Sequence, residues 1–328
     1  MRRELAPLAE RRASLAPRRS DPPPADTRRR LQLALAALWL FDGVLQLQPF
    51  MFTKAFAQTI IDPAAPGNPA FIADPITWAA GIIADHPVPT NAAFAGIQLA
   101  LGLGIAWRPA TRLALACSIG WALSVWWFGE GLGGVLTGGA PLVGAPGGVI
   151  LYGLLAVLLW PAQPHRTARS PFPAAAAVGA RTAQALWLLL WGSGAYLTMQ
   201  SANTGPNDMH DTITGMTDGQ PRWLIWIDDR AAALVAGRGL AASLVLAVVF
   251  AAIALAVYLP DGVLRRAALI LAIAVALVMW VVGQALGMVF GGQGTDPGTG
   301  PLLILLTAAY WPARDAAAPP IEEEDEAA

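Results

Sequence analysis

Two acidic residues stand within or at the end of long apolar stretches, and they are the first candidates for chemistry. Asp42 interrupts the first such stretch, and Glu130 follows the stretch Thr111–Phe128. Gln98 lies inside a third stretch, Asn91–Trp107. A charged side chain in an apolar helix is costly, so it usually faces a bundle interior or water and can carry a proton or hold a polar ligand.

Helix geometry brings these three side chains to a similar depth. At 1.5 Å per residue, Asp42 lies roughly 16 Å along its helix, Gln98 lies about 10 Å from the far end of its own helix, and Glu130 is at a helix end. We predict one polar cavity, and the alternative is that the acids are ordinary structural groups. The predicted cavity residues are Asp42, Gln98 and Glu130, with Gln46 and Trp126 or Trp127 in the wall.

A later segment, Asp208-Met-His-Asp, holds residue types found in copper sites, where soft sulfur and imidazole ligands combine. The candidate ligands are Met209, His210 and Met216. Because a ligating histidine normally has further protein ligands and an oriented second shell, we predict no metal site here.

Composition places the chain in a membrane. Its 328 residues are 55% hydrophobic and 13% charged, with a mean hydropathy of +0.51, which is more apolar surface than a soluble domain hides. The lipid bilayer is therefore the first expected partner, and the net charge of −1 gives no reason to expect nucleic acid. The single cysteine, Cys117, excludes an internal disulfide and is predicted to be a small buried hydrophobe.

A helix that crosses the bilayer needs about 20 mostly apolar residues, which predicts eight spans in an all-α membrane protein. The spans are Leu31–Gln48, Asn91–Trp107, Thr111–Phe128, Gly147–Trp160, Ala183–Met199, Leu240–Leu259, Val263–Gly283 and Thr299–Trp311. Small residues are expected to let these helices approach closely, and they include Gly102, Gly104 and Gly192.

Basic residues set the orientation of these spans. If both termini are cytoplasmic, every short inner turn is basic, as the positive-inside rule requires. The outer segments then hold only Lys54, Arg222, Arg230 and Arg238. The strong preference for arginine over lysine, with much Ala, Gly and Pro, indicates a bacterial source. We therefore predict a multi-pass protein of the bacterial inner membrane.

Short motifs recur at an offset of about 150 residues, which predicts two tandem four-helix bundles in a parallel repeat. Examples are Gly129–Gly133 with Gly283–Gly287, and Pro146-Gly147 with Pro297-Gly298. In the second copy, Glu130 is matched by Gln284, so we expect the chemistry in the first copy and a scaffold or gate in the second.

The repeat divides the chain into five parts. These are a disordered basic arm at 1–30, the first repeat at 31–161, a cytoplasmic linker at 162–181, the second repeat at 182–312 and a disordered acidic tail at 313–328. Each repeat has a long outer segment, and within them Phe71–Ile83 and Trp223–Val235 are helix-compatible. Each stretch is either a helix that lies flat at the membrane interface or part of an ordinary packed loop.

The junction Ile97–Ala116 resembles the DoxX-like membrane proteins. That family has four-helix units with a Gly-rich second helix, a tight basic turn and a fourth helix that ends at proline, as Leu151–Pro161 does. Some members are similar to partners of membrane redox systems such as thiosulfate:quinone oxidoreductase, so the resemblance implies an accessory redox role.

Two functions follow as expectations. The first is an accessory or partner subunit of a quinone-linked redox system, not an enzyme on its own, with a quinone or a membrane protein as partner. The alternative is a permease for a small solute or a proton that uses Asp42 and Glu130 as carriers. The residues assign no cofactor.

Overall fold

The computed structural model describes residues 27–163, 167 and 170–312 of the chain. The first 26 residues of the predicted basic arm, parts of the linker and the predicted acidic tail lie outside the described residues. Within the described ranges the protein is all-helical and contains no strand.

Eleven α-helices of seven or more residues build the described part of the fold. They are α1 (Thr27–Leu45), α2 (Ala70–Asp85), α3 (Pro87–Ala106), α4 (Thr111–Phe128), α5 (Gly148–Leu158), α6 (Ala180–Thr198), α7 (Asp208–Thr214), α8 (Arg222–Val235), α9 (Gly239–Ala256), α10 (Val263–Val278) and α11 (Thr299–Ala309). Each predicted span overlaps one of them, and the helix-compatible stretches of the two outer segments are the helices α2 and α8.

Three helical stretches of the described chain are long and apolar enough to cross a membrane. They are α3, α9 and the continuous stretch Val263–Gly291 that begins with α10. The helices α5 and α11 are apolar but have only 11 residues each. Three candidate spans therefore follow from the described helices, and the count of eight stays a prediction.

The first helix begins earlier than predicted, because its first turn is anchored. Thr27–Arg30 are helical rather than part of a disordered arm. Arg28 donates to the carbonyls of Leu158, at 3.2 Å, and Trp160, at 2.8 Å. Arg29 donates to Ile105 O at 2.9 Å. These arginines satisfy carbonyl groups left free where helices α5 and α3 end.

The described part of the linker is packed. Phe172 is buried, and its ring stacks on Tyr310 with centroids 5.2 Å apart. The guanidinium of Arg265 lies 5.0 Å from the centre of the same Phe172 ring. A helical turn, Ala175–Val178, then leads into α6.

Helices pair in the same manner in each half: α1 packs on α3 and α4 on α5, while α6 packs on α9 and α10 on α11. Helix α11 also contacts both α5 and α1, so the halves share one core. Gly102 permits the close approach of α3 to α1, because an added Cβ would lie 2.6 Å from Leu40 Cγ. Gly104 likewise faces Ala114, but nothing lies within 4 Å of a Cβ at Gly192, so that glycine makes no close contact.

The loops after α4 and α10 have matching backbone and matching hydrogen bonds. Leu132 and Leu286 both have positive φ, at 55° and 57°, and each is followed by a glycine with positive φ. Trp126 Nε1 donates to Pro146 O at 2.7 Å, and Trp280 Nε1 donates to Pro297 O at 2.6 Å. Each loop thus folds back onto the residues that begin the next helix.

Cys117 is exposed on α4, so the prediction that it is buried was wrong. The buried face of α4 is formed instead by small residues one helical turn apart, which include Ala114, Ser118 and Ala122.

Candidate functional site

Asp42 is fixed in the core of the first half by a tyrosine. Its side chain is 2% exposed, and its Oδ1 accepts a hydrogen bond of 2.7 Å from the hydroxyl of Tyr152 on α5. The Tyr152 ring in turn packs on Trp39, with centroids 4.1 Å apart. The acid and its donor are therefore held by two neighbouring helices and one large aromatic contact.

Glu130 follows the end of α4, and its side chain reaches the start of α5. Its Oε1 accepts a 3.1 Å hydrogen bond from Val149 N, which satisfies one of the free amide groups of the first helical turn. A carboxylate is also favoured there by the helix dipole. The second oxygen, Oε2, is buried and has no hydrogen-bond partner.

Asp296 comes from the second half, in the loop that precedes α11. Its Oδ1 accepts a 2.7 Å hydrogen bond from Gly298 N, and its Oδ2 accepts one of 3.0 Å from Thr295. A Cβ placed on Gly148 would lie 3.6 Å from Asp296 Oδ1 and 3.9 Å from Glu130 Oε1. The two carboxyl groups therefore flank the same glycine.

One cavity of about 370 Å³ brings these groups together. Its polar lining includes the predicted residues Asp42, Gln46, Gln98 and Glu130, with Tyr152 and Asp296 in addition. Six aromatic residues of the lining form much of the apolar wall: Trp39, Phe56, Trp78, Phe94, Trp121 and Phe128. The cavity is thus apolar along its wall and acidic at one end.

The predicted wall tryptophans lie elsewhere. Trp126 does not line the cavity; its Nε1 donates a hydrogen bond to Pro146 O. Trp127 is exposed, and its Nε1 donates to Phe71 O on α2 at 3.2 Å. The face of α4 that lines the cavity contains Trp121 and Val125, which are one helical turn apart. Trp126 and Trp127 lie on other faces of this helix.

The two predicted amides differ in their bonding. Gln46 is 3% exposed and donates its side-chain amide to Asn91 Oδ1, while Asn91 Nδ2 donates to Gln46 O at 2.7 Å. This pair ties the end of α1 to the start of α3. Gln98 is half-buried and its Oε1 has no hydrogen-bond partner, so it is the amide with an acceptor left over.

Sequence reasoning missed Tyr152 and Asp296. Tyr152 could have been found as a hydroxyl within an otherwise apolar predicted span. Asp296 carried no such signal, because it stands in a glycine-rich loop, and only the packing of that loop brings it to the first half. Gln48 Nε2 donates to Gly294 O at 3.0 Å and holds the loop there. The second half, expected to be a scaffold or a gate, therefore also contributes an acid to the cavity.

The ionisable carboxyl groups that line the cavity have no basic residue beside them in the described lining. No lysine, arginine or histidine is among the described residues that line the cavity. Burial, and then the charge of Asp296, raise the pKa of Glu130 to about 8. Burial also raises the pKa of Asp296. The acidic end can therefore exchange protons near neutral pH.

A second cavity of about 410 Å³ adjoins the first. It is bounded largely by the glycine-rich loops after α4 and α10. The residues that line both cavities are Ile60, Gly129, Glu130, Thr295 and Asp296. Glu130 and Asp296 thus belong to a wall shared by an apolar cavity and a loop-lined one.

The predicted metal-site candidates are not brought to one place. Met216 lines the second cavity, whereas Met209 lines a separate small cavity near α9. His210 Nδ1 lies 2.8 Å from Asp211 Oδ1 on the exposed side of α7. In the described ranges no group of three His, Cys, Asp or Glu side chains could hold a metal ion.

Comparison of the chain with protein-family models, curated proteins and solved structures found no match. The DoxX-like resemblance therefore stays a prediction. What the described residues define is an all-helical protein with three helical stretches fit to span a membrane and an acid-ended aromatic cavity.

Proposed function

We propose that the chain is a proton-coupled permease of the bacterial inner membrane, which takes a small, mostly apolar solute into the first-half cavity. Its spans would be the eight predicted ones, with both termini cytoplasmic. The observation that carries the proposal is the wall shared by the two cavities, which contains Glu130 and Asp296.

A proton-coupled permease needs a solute site in contact with groups that bind and release protons. The first cavity reaches the outer surface of the helices at Trp78, which is 64% exposed, and at Phe128, which is 36% exposed. The second is lined by loops that all lie on the predicted outer side. Titratable acids in the wall between them provide a place where proton and solute compete.

The proposed architecture is two tandem four-helix units in parallel, of the DoxX-like type. The matching Trp126 and Trp280 hydrogen bonds and the matching positive-φ turns support it. Glu130 and Gln284 also bond to the first turn of the following helix in both units. Parallel repeats place ligand sites near the interface of their units, where Asp296 lies.

Proton flux into sealed vesicles tests the proposal. The full chain is reconstituted with an internal pH dye, and a pH step is applied with and without a gradient of tetraphenylphosphonium. We expect flux above that of empty vesicles, and loss of the excess in Glu130→Gln and Asp296→Asn. Asp228→Asn, which removes a buried acid outside the cavity, serves as the control. Flux equal to that of empty vesicles under both conditions would make the permease proposal wrong.

A redox-accessory role is the second candidate. The observation in its favour is the exposed aromatic surface at Trp78 and Phe128, through which a lipid-soluble quinone could reach the acidic end from the bilayer. Decylubiquinone is a suitable probe, because it should quench the cavity tryptophans. Saturable quenching that is lost in a Trp121→Leu variant, without any proton flux, would favour this role over the permease.

A further inference from the structure

The first cavity has the wall of a cation site. Aromatic faces attract cations through the ring quadrupole, most strongly for tryptophan. Three tryptophans line the cavity, Trp39, Trp78 and Trp121, and Phe94 packs on Trp121 with centroids 5.5 Å apart. Aromatic rings also line the binding sites of neutral molecules. The charge at the end of the cavity therefore determines whether it favours a cation or a neutral ligand.

That charge is negative and has no counter-charge. Asp42, Glu130 and Asp296 all line the cavity, and in the described part of the chain none of them forms an ion pair. Asp42 is 2% exposed, and only its Oδ1 accepts a hydrogen bond from a described residue. The other oxygen of this deeply buried side chain is left for a ligand or a proton.

The second half shows that a carboxyl group is not needed to build this corner of the fold. Gln284 occupies the place that matches Glu130. Its Oε1 accepts from Thr299 N at 2.7 Å, and its Nε2 donates to Thr299 Oγ1 at 2.7 Å. An amide thus starts the helix with its groups satisfied, whereas Glu130 leaves Oε2 buried and unpartnered. A buried oxygen of this kind can be satisfied by a proton, a water molecule or a ligand.

A buried carboxylate without a partner is expensive, and it is relieved either by a proton or by a cation. We propose that the cavity binds a lipophilic organic monocation, whose charge lies among Asp42, Glu130 and Asp296 and whose apolar body lies against the aromatic wall. Binding displaces a proton from the acidic end. This inference rests on the proposed function and names its substrate class. A cavity of about 370 Å³ is of the size that holds a small organic ligand.

A matched pair of probes separates charge from shape. Tetraphenylphosphonium is a lipophilic cation, and triphenylphosphine oxide is a neutral molecule with three of the same rings. With the full-length protein in detergent at pH 8.5 or above, we expect saturable tryptophan quenching by the cation, and affinity at least about tenfold weaker for the neutral probe.

Amide substitutions test the acids. Glu130→Gln keeps the acceptor for Val149 N and copies Gln284, while Asp42→Asn keeps an acceptor for Tyr152. Each should weaken cation binding about tenfold or more and leave the neutral probe unchanged. Asp228→Asn is the matched control, and it should change neither. Should either cavity variant fail to fold, Asp296→Asn gives the same test from the other half.

The pH dependence gives an independent readout. Because burial raises the pKa of Glu130 to about 8, cation affinity should rise as pH increases through that value and level off above it. Asp42, Asp296 and Tyr152 face the same space. Calorimetry in buffers of different ionisation enthalpy should show protons released on binding below pH 8, and fewer in Glu130→Gln.

Equal binding of the two probes would overturn the cation inference and leave a ligand cavity in place. Cation binding unaffected by both amide variants would overturn it as well. Selective cation binding without flux in vesicles would support the cation inference and contradict the permease proposal. The failures of the two proposals are therefore distinguishable.

Discussion

Buried acids without partners occur at two places in the described chain, and they differ in what surrounds them. Glu130 faces a cavity, whereas Asp228 on α8 is fully buried, has no hydrogen-bond partner on either oxygen and lines none of the cavities described above. Burial, and then the neighbouring charge of Asp229, raise the pKa of Asp228 to about 6. The first acid can meet a ligand, and the second can only take up a proton.

Asp228 should therefore make the protein less stable as pH rises. The unfolded carboxyl titrates near pH 4, so between about 4 and 6 the folded state binds more protons than the unfolded state. The free energy of unfolding from this group is then highest at low pH and falls through that window. We expect Asp228→Asn to flatten this slope and to stabilise the protein above pH 6.

Thermal unfolding in detergent from pH 4 to 8 measures the effect. Asp229→Asn is the control, because Asp229 is exposed and contributes only the smaller cause of the shift. Its slope should stay close to that of the wild type. An Asp228→Asn profile parallel to the wild type would show that this side chain is solvated and not buried.

At the scale of elements, the glycine-rich loops after α4 and α10 pack closely against the starts of the helices that follow them. Gly133 has φ +60°, and an added Cβ would lie 1.8 Å from Pro146 O. Gly287 has φ +75°, and its Cβ would lie 2.4 Å from the carbonyl carbon of Pro297. Only glycine allows each loop to meet the start of the next helix, where Glu130 and Gln284 bond.

Gly133→Ala should therefore disrupt the site as well as the loop. The clash is with backbone, which cannot move aside as a side chain does, so we expect a loss of about 3 kcal/mol or more in the free energy of unfolding. Gly120→Ala on α4 is the control: nothing lies within 4 Å of its Cβ, and it should be neutral or slightly stabilising. A Gly133→Ala variant as stable as Gly120→Ala would contradict this loop geometry.

The positions of the helices were more predictable from the sequence than the sides of the helices that line the cavity. Apolar length alone located the helices that overlap the eight predicted spans, because that signal extends over many residues. Which side of α4 lines the cavity depends on packing, so Trp126 and Trp127 were predicted in a wall that Trp121 occupies. Asp296 was beyond reach for the same reason, since a loop carries no periodicity from which its neighbours follow.

At the scale of the whole molecule, the two halves are joined by polar bonds as well as by a shared core. Arg28 links α1 to the end of α5 and donates to Pro173 O in the linker that leads to the second half. Gln48 links the end of α1 to the loop that carries Asp296. Contacts at both ends of α1 therefore join the first half to the linker and to the second half.

Arg28→Gln should loosen this junction. Arg28 is 7% exposed, and its charge lies where the dipole of α5 is negative, so the loss removes several charge-assisted hydrogen bonds. We expect a decrease of about 2–4 kcal/mol in the free energy of unfolding. Arg30→Gln, an exposed position one residue beyond Arg29, should change it by less than about 0.5 kcal/mol. Equal stability of the two variants would mean that the helix-end carbonyls are satisfied without Arg28.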